Sequence, residues 1–414
     1  MHSGETTHHT GPARSALALV AVSVCLLAGC TTGTTSSDAK NPAAGPAKTP
    51  AQVARAATGP RLDLHATDGQ EHVPVTTGGR VTVEGGTIAE AYLSTTDGRT
   101  VPGERSPDKK SWAPSVDLKR GTAYRLSATA TDADGHRTTR TVAFTTLAEA
   151  DRFTGTYTPE DGSTVGVGMP VSFTFDKAIT DKKAVESAVE VSSDSGQTVV
   201  GHWFGGQRLD FRPEDYWKPN STVTVRIRLA GVKGAADAYG EQDKTLRFKV
   251  GRSQVSTVDA AAHTMKVVRD GTTVRTVPIT AGAASSPTWN GRMVISEKLI
   301  STRMNGATVG FAGQYDIPDV PHAMRLSTSG TFIHGNYWGD DSVFGRSNIS
   351  HGCVGLNDTK GGGDSGQDGA WFYDNSLVGD VVVVKNSDDK VIAPDNGLNG
   401  WNMPWGEWTA GSAR

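Results

Sequence analysis

The sequence predicts a mainly β chain: two β-sandwiches in tandem, then a β-rich block that carries the chemistry, then a short Trp-rich extension. Three observations predict it. Gly is abundant (49 residues) and helix-period patterns are scarce. Short runs alternate apolar with polar residues, with Gly-Gly or Asp-Gly pairs between them, the pattern of half-buried strands joined by turns. The histidine and thiol groups that could do covalent chemistry meet in one stretch, residues 334–353. Composition excludes a polycation for nucleic acid, because 41 basic side chains stand against 44 acidic ones for a net charge of -3.

In chain order, Arg14 precedes a run of Ala, Leu and Val over residues 16–28. The run falls short of the ~20 apolar residues that cross a bilayer, but it suits the h-region of a secretory signal. It ends in Leu27-Ala28-Gly29-Cys30, which resembles the lipobox of bacterial lipoproteins. Residues 1–29 are therefore expected to be a signal peptide and Cys30 the site of lipidation. A diacylated cysteine would anchor the chain to the outer face of the membrane. Residues 30–59, rich in Thr, Ser, Ala, Pro and Gly, have too few large apolar groups to bury a core and read as a disordered tether. At ~5–6 Å × √n such a tether reaches about 30 Å.

The first sandwich is expected over residues 60–148. Its strands are read at Arg80-Val81-Thr82-Val83-Glu84, Ile88-Ala89-Glu90-Ala91-Tyr92-Leu93, Ala123-Tyr124-Arg125-Leu126 and Arg140-Thr141-Val142-Ala143-Phe144. The second, residues 151–250, repeats the pattern at Val171-Ser172-Phe173-Thr174-Phe175, Arg208-Leu209-Asp210-Phe211 and Leu246-Arg247-Phe248-Lys249-Val250. Trp203, Tyr216 and Trp217 read as core or edge packing rather than sugar-stacking platforms. In the third block, residues 254–386, Asp270-Gly271 between alternating strands signals a hairpin. A short helix is read over residues 367–373, and Val381-Val382-Val383-Val384 suits a strand buried on both faces. The block is expected to fold without the sandwiches. Residues 387–414, with Trp401, Trp405 and Trp408, are too few for a domain and are expected to dock on it.

Once Cys25 is cleaved with the signal and Cys30 is acylated, Cys353 is the lone thiol. It sits in Ser350-His351-Gly352-Cys353, nineteen residues after His334 of Ile333-His334-Gly335. Thiol acyl transfer needs a thiolate, a base for its proton and backbone donors for the oxyanion. The spacing lets a loop return Cys353 beside the strand bearing His334. His351 adjoins the thiol in sequence, but strand neighbours point to opposite faces, which favours His334 as base and His351 as a brace for the loop. Gly352 allows close backbone approach, so the Gly352 and Cys353 N–H groups are candidate oxyanion donors. Two bland readings compete: a buried small hydrophobe with unrelated histidines, and a zinc site from His334, His351 and Cys353. The spacing matches no common structural zinc pattern, and neither a metal nor another cofactor is expected.

His-Gly followed at this distance by Ser-His-Gly-Cys resembles the catalytic domain of the L,D-transpeptidases, also called YkuD, over roughly residues 255–385. The stretch Ser285-Ser286-Pro287-Thr288-Trp289-Asn290-Gly291 resembles a family segment. The sandwiches and Trp-rich tail resemble multidomain actinobacterial members with Ig-like domains. The resemblance implies Cys353 as nucleophile, His334 as general base and Gly352 as part of the oxyanion hole. It also implies Tyr315 capping the pocket, with Ser329, Gly330, Gly335, Ser350 and His351 lining the substrate site. Gly355 stands where the family carries Asn or Arg, and Asn357 is the candidate to take over that role. The implied function is peptidoglycan cross-linking: attack on the L,D bond after the third residue of a tetrapeptide stem, release of D-Ala, and transfer to a neighbouring stem's amine. Carbapenems are the implied covalent inhibitors. An L,D-carboxypeptidase and a non-catalytic wall-binding lipoprotein are the alternatives. The place of action is extracytoplasmic, in the cell wall.

Overall fold

The computed structural model describes residues 59–414. The expected signal segment, Cys30 and nearly all of the tether lie outside them. The alternating runs of the first block become two facing sheets, one of four strands and one of five. Strand Ala123–Thr131 shows why: Tyr124, Leu126, Ala128 and Ala130 are buried while the residues between them are not. Leu93, Trp112, Val142 and Phe144 complete that core.

The second block repeats the scheme with two four-stranded sheets and a small three-stranded ribbon. Phe173, Phe175, Phe211, Trp203 and Trp217 fill its centre. The two indoles are hydrogen-bonded as buried indoles require: Trp217 Nε1–H donates to the Met169 carbonyl at 2.6 Å and Trp203 Nε1–H to Glu186 at 2.9 Å. Tyr216 packs edge-on against Trp401, 4.8 Å between ring centroids.

The third block is built on a nine-stranded sheet. Asp270 and Gly271 both adopt positive φ, 48° and 81°, the geometry of a two-residue hairpin turn between Thr264–Arg269 and Thr272–Thr280. The expected helix forms over Asp368–Asp374. Strand Val381–Lys385 pairs parallel to Gln254–Asp259 and antiparallel to Gly291–Val294. Its continuous valine run has a two-sided cause. Val382 and Val384 enter the core of the third block, whereas Val381 and Val383 pack against the core of the second.

The second and third blocks therefore share a hydrophobic contact. The seam is close: Gly166 N–H donates to the Val378 carbonyl at 2.8 Å and Gly168 N–H to that of Gly379 at 2.9 Å. A Cβ on Gly166 would lie 2.2 Å from the Asp380 amide nitrogen, so the approach requires glycine. Asp380 is buried and paired twice with Arg252, at 2.8 and 2.9 Å. The third block was expected to be self-sufficient, yet its valine strand leaves one face that the second block covers.

The C-terminal extension requires a second correction. It does touch the third block, where Asn399 donates to the Leu326 carbonyl at 3.0 Å and accepts from Val294 N–H at 3.0 Å. Its final turns dock on the second block instead. The Arg212 guanidinium lies among Trp401, Trp405 and Trp408, at 4.7, 5.4 and 4.3 Å from the ring centroids. It donates to the Met403 carbonyl at 2.9 Å, and Trp408 Nε1–H donates to the Val200 carbonyl at 3.0 Å. The tail docks there on two buried charged groups of the second block that take partners from it. One is Arg212, and the other is Glu186, which accepts from Ser412 Oγ and Ala413 N–H.

Candidate active site

His334 and Cys353 meet through strand pairing. Phe332–Asn336 and Val354–Asn357 run parallel, with Ile333 opposite Val354 and His334 opposite Gly355, so Cys353 enters the sheet one step before its first paired residue. The connection between them is sewn down by two residues that sequence reasoning did not single out. Thr280 Oγ1 donates to the Ser347 carbonyl at 2.9 Å and accepts from Ile349 N–H. Asn348 donates to the Ala260 carbonyl at 2.9 Å and accepts from Ala281 N–H at 2.9 Å. Both are ordinary polar residues whose partners lie about seventy or more positions away, so no local signal marks them.

His334 is buried, and its Nδ1 lies 2.9 Å from the Gly335 carbonyl. A carbonyl only accepts, so Nδ1 carries the proton and Nε2 keeps its lone pair. Trp338 stacks on the imidazole, 5.6 Å between centroids with planes 18° apart. The Cys353 thiol contacts the Gly330 carbonyl at 3.6 Å. Burial pushes the thiol up to about 11 and holds the imidazole below its ordinary range, against the opposing pull of the Gly335 carbonyl. Both groups are thus neutral at pH 7. The thiol and the imidazole line the same cavity.

The Ser350–Cys353 loop is held from both ends. Ser350 N–H donates to the Ala281 carbonyl and Ala283 N–H to that of Ser350, while Ser350 Oγ donates to the Cys353 carbonyl at 2.5 Å. Gly352 has φ of 111°, a conformation that L side chains rarely adopt, although a Cβ there would meet nothing nearer than 3.8 Å. Glycine is required by backbone conformation, not by space. The Gly352 N–H donates to Ser350 Oγ at 3.2 Å and is not free. The Cys353 N–H has no acceptor among the described residues.

A hairpin of Glu297–Asn305 and Asp316–Arg325 forms a flap over this floor. From its tip, Tyr315 and Phe311 approach the His351 ring, at 4.9 and 5.3 Å. His351 thus meets the flap tip through its ring, a contact distinct from the hydrogen-bonded brace of the loop that was expected of it. Two cavities meet at Cys353. One, about 380 Å³, is lined by His334, Asn336, Trp338, Tyr315, His351 and Gly355. The other, about 260 Å³, is lined by Met304, Val309, Arg325, Thr328 and Gly330.

Several expected residues stand elsewhere. Ser329 Oγ accepts from Asn396 of the C-terminal extension at 2.8 Å, and it is the neighbouring Thr328 and Gly330 that line a cavity. Asn357 pairs with Asn336 across the parallel ladder and lines neither cavity. Asn336, missed from the sequence, lines the first. Period-two alternation from His334 would have placed it on the same face. Gly335 has no room for a side chain, because a Cβ would lie 2.2 Å from Asp358 Oδ2. At Gly355 a Cβ would meet the Thr280 methyl at 2.8 Å. The zinc reading finds no support in the donor geometry. Among the described residues, the one set of three convergent ligand atoms belongs to Asp132, Asp134 and His136, on an exposed turn far along the chain from the thiol.

The one cysteine among the described residues, an unprotonated imidazole and an open backbone amide under a flap define a cysteine acyl-transfer enzyme in outline. Comparison makes the class specific. The model of the L,D-transpeptidase catalytic domain matches residues 253–384, and that of a bacterial Ig domain matches residues 70–233. L,D-transpeptidase 2 of Mycobacterium tuberculosis is 31% identical over 360 residues, covering 86% of this chain and 85% of the relative. L,D-transpeptidase 5 of the same organism is 30% identical over 363 residues, covering 86% and 77%. Among solved structures, an L,D-transpeptidase from Mycobacterium smegmatis aligns with TM-score 0.44 at 26% identity, over 56% of this chain and 99% of that one. The chain belongs to the L,D-transpeptidase family and is an enzyme of peptidoglycan cross-linking with a cysteine active site. That family function implies an extracytoplasmic, wall-associated role.

Proposed function

We propose that Cys353 is the nucleophile and His334 the base of a two-step transfer between stem peptides. The thiol proton passes to His334 Nε2 as the sulfur bonds to the carbonyl carbon of the donor's third residue. The C–N bond to D-Ala then breaks, and His334 returns the proton to the departing amine. The amine of a second stem attacks the thioester, gives up a proton to His334, and the S–C bond breaks to restore the thiol. The observation that carries this reading is the His334 Nδ1 contact with the Gly335 carbonyl, which leaves Nε2 as the acceptor in the cavity that also holds the thiol. The Cys353 amide is the oxyanion donor on this reading, with Gly352 acting through its conformation. The two cavities that meet at the sulfur suit one donor and one acceptor.

The two sheet pairs at residues 60–148 and 151–250 read as tandem Ig-like domains, supported by their facing sheets and separate cores. With Cys30 lipidated and residues 31–59 as tether, they set the height of the site above the membrane. Cys30→Ser should release the protein from membranes with catalytic activity intact, and unchanged partitioning would reject the anchor. Carbapenems are acyl donors for the same thiol. Intact mass of the soluble protein should show one adduct, lost in Cys353→Ala, formed far more slowly in His334→Ala, and less affected in His351→Ala. An adduct on Cys353→Ala rejects the mechanism. Incubation with stem tetrapeptides should give dimers, and trimmed tripeptide alone would identify a carboxypeptidase, the reading that Gly355 favours by leaving no side chain to hold an acceptor.

A further inference from the structure

We infer that the Asn336 side-chain amide selects the acyl acceptor, by donating to a carboxylate borne on the same carbon as the attacking amine. The inference rests on the acyl-enzyme reading of Cys353. Asn336 is only 5% exposed. Its Oδ1 accepts from the Trp338 and Gly339 N–H groups at 3.2 and 2.9 Å. Two backbone donors can meet only the carbonyl end of the amide, so the rotamer is fixed and the NH2 end is turned away from them. That Nδ2 has no acceptor among the described residues, and a buried donor left unpaired is costly. The residue lines the cavity that holds His334, Cys353 and Gly355. A Cβ on Gly355 would lie 3.5 Å from Nδ2, so the glycine leaves this end of the amide uncovered.

The strand Phe332–Asn336 sorts the two cavities at the sulfur. Phe332 lines the smaller one, His334 and Asn336 line the larger, and Cys353 lines both. The base has to reach the amine that leaves and the amine that attacks, so both amines belong on the His334 side and the acyl chain on the other. Reversal of the acylation step says the same, since free D-Ala attacking the thioester returns to the place it left. D-Ala carries its carboxyl carbon about 2.5 Å from its amine nitrogen. Asn336 stands two residues beyond His334 on the same strand face, about 6.6 Å away. An α-amino acid hydrogen-bonded at its nitrogen to His334 Nε2 therefore directs its carboxylate at the orphan amide. Asp316, the acidic side chain that lines this cavity, is paired with Arg303 at 2.8 and 2.5 Å and does not oppose that charge.

In the transfer step the amine nitrogen bonds to the thioester carbonyl carbon and its proton passes to His334 Nε2. The S–C bond breaks, and the proton returns to the sulfur. Water can make the same attack, but it offers Asn336 nothing to hold, so the contact favours amine over water. Asn336 thus supplies, from the neighbouring strand, the side chain that Gly355 lacks.

The test uses the full chain, a stem tetrapeptide, and equal concentrations of deuterated D-alanine and isopropylamine, which has a methyl group in place of the carboxylate. Mass spectrometry gives the ratio of deuterated tetrapeptide to tripeptide isopropylamide, corrected for the unprotonated fraction of each amine. Both products come from one acyl-enzyme population, so slower acylation of a variant does not enter the ratio. The wild type should favour D-alanine about tenfold to a hundredfold. Asn336→Asp keeps the oxygen that Trp338 and Gly339 use and replaces the donor with an acceptor, so the ratio should fall to about one or below. Asn336→Ala should bring it to about one, as a second probe should either variant fold poorly. A wild-type ratio near one, or a preference that survives in a well-folded variant, overturns the assignment. D-Ala release from the tetrapeptide without added amine, lost in Cys353→Ala, tests the reading of Cys353 separately.

Discussion

His334 and Cys353 are both neutral before substrate arrives, and this sets the pH behaviour of the thiol. Alkylation of Cys353 by a small haloacetamide should keep rising past pH 9 toward about 11, without the plateau near neutrality that a thiolate–imidazolium pair gives. His334→Ala should alkylate no more slowly at pH 7, yet lose about 10²–10⁴ in acylation rate by a carbapenem, since proton transfer is needed only in the second reaction. Stability follows the same logic. The thiol's folded pKa is raised, so its contribution is present below the ordinary 9.0 and is lost as pH climbs toward about 11. The imidazole's is lowered, so its contribution is present above the ordinary 6.5 and is lost on acidification. The Tm of Cys353→Ala relative to wild type should therefore rise above pH 9. Behind Gly335, Asp358 accepts from His322 Nδ1 at 2.7 Å with both side chains buried. Asp358→Ala should cost ~1–3 kcal/mol in chemical denaturation by stranding that donor. It should also lower kcat more than it changes KM, because Gly335 packs on Asp358 and its carbonyl orients His334.

At the scale of elements, the flap and the Ser350–Cys353 loop hold each other. Tyr315 and Phe311 reach His351 from above, while the Ala281–Ala283 backbone fixes Ser350 from the side. Tyr315→Phe should retain the ring contact and near wild-type kinetics. Tyr315→Ala should raise KM for acyl donors about tenfold, as a cavity wall is lost, with Tm nearly unchanged because the tip lies outside the buried cores. No change in KM for the alanine variant would show that the flap tip does not contact the donor. Gly352→Ala should fold, since a Cβ has space, but carry a penalty of ~1–3 kcal/mol for its positive φ. The strained loop should then misplace the Cys353 amide, seen as slowed acylation without loss of alkylation.

At the scale of the whole molecule, the second block, the catalytic sheet and the tail share one core and should unfold as one cooperative unit. Val294, Val381 and Trp401 belong to the core of the second block although they come from the catalytic sheet and the tail. A chain of residues 251–414 should expose these groups and aggregate, whereas residues 151–414 should fold and unfold in one transition. Truncation after residue 402 removes Trp405, Trp408 and the Met403 carbonyl from a buried Arg212 whose pKa burial has already lowered to about 10. The loss should be about 3 kcal/mol, read as a lower midpoint in urea. Arg212→Met in the truncated chain should recover part of it.

What the sequence by itself determined was local. The alternating runs named the strands, Asp270-Gly271 named the hairpin, and the four valines named a strand covered on both sides, because backbone preference and burial period are written into neighbouring residues. The His334 and Cys353 pair was legible for a similar reason: the chain has three cysteines, two of them within its first 30 residues, and the motif around the third is specific. The tertiary structure decided everything that depends on which distant groups meet. It gave the Gly352 amide to Ser350 Oγ, put Asn336 in the cavity where Asn357 had been expected, and carried the tail past the catalytic block to Arg212 and Glu186. It also covered the second face of the valine strand with another domain. A hydrogen bond or a buried charge takes its partner from whatever the folded chain brings within reach, and across seventy or two hundred residues no local pattern encodes that choice.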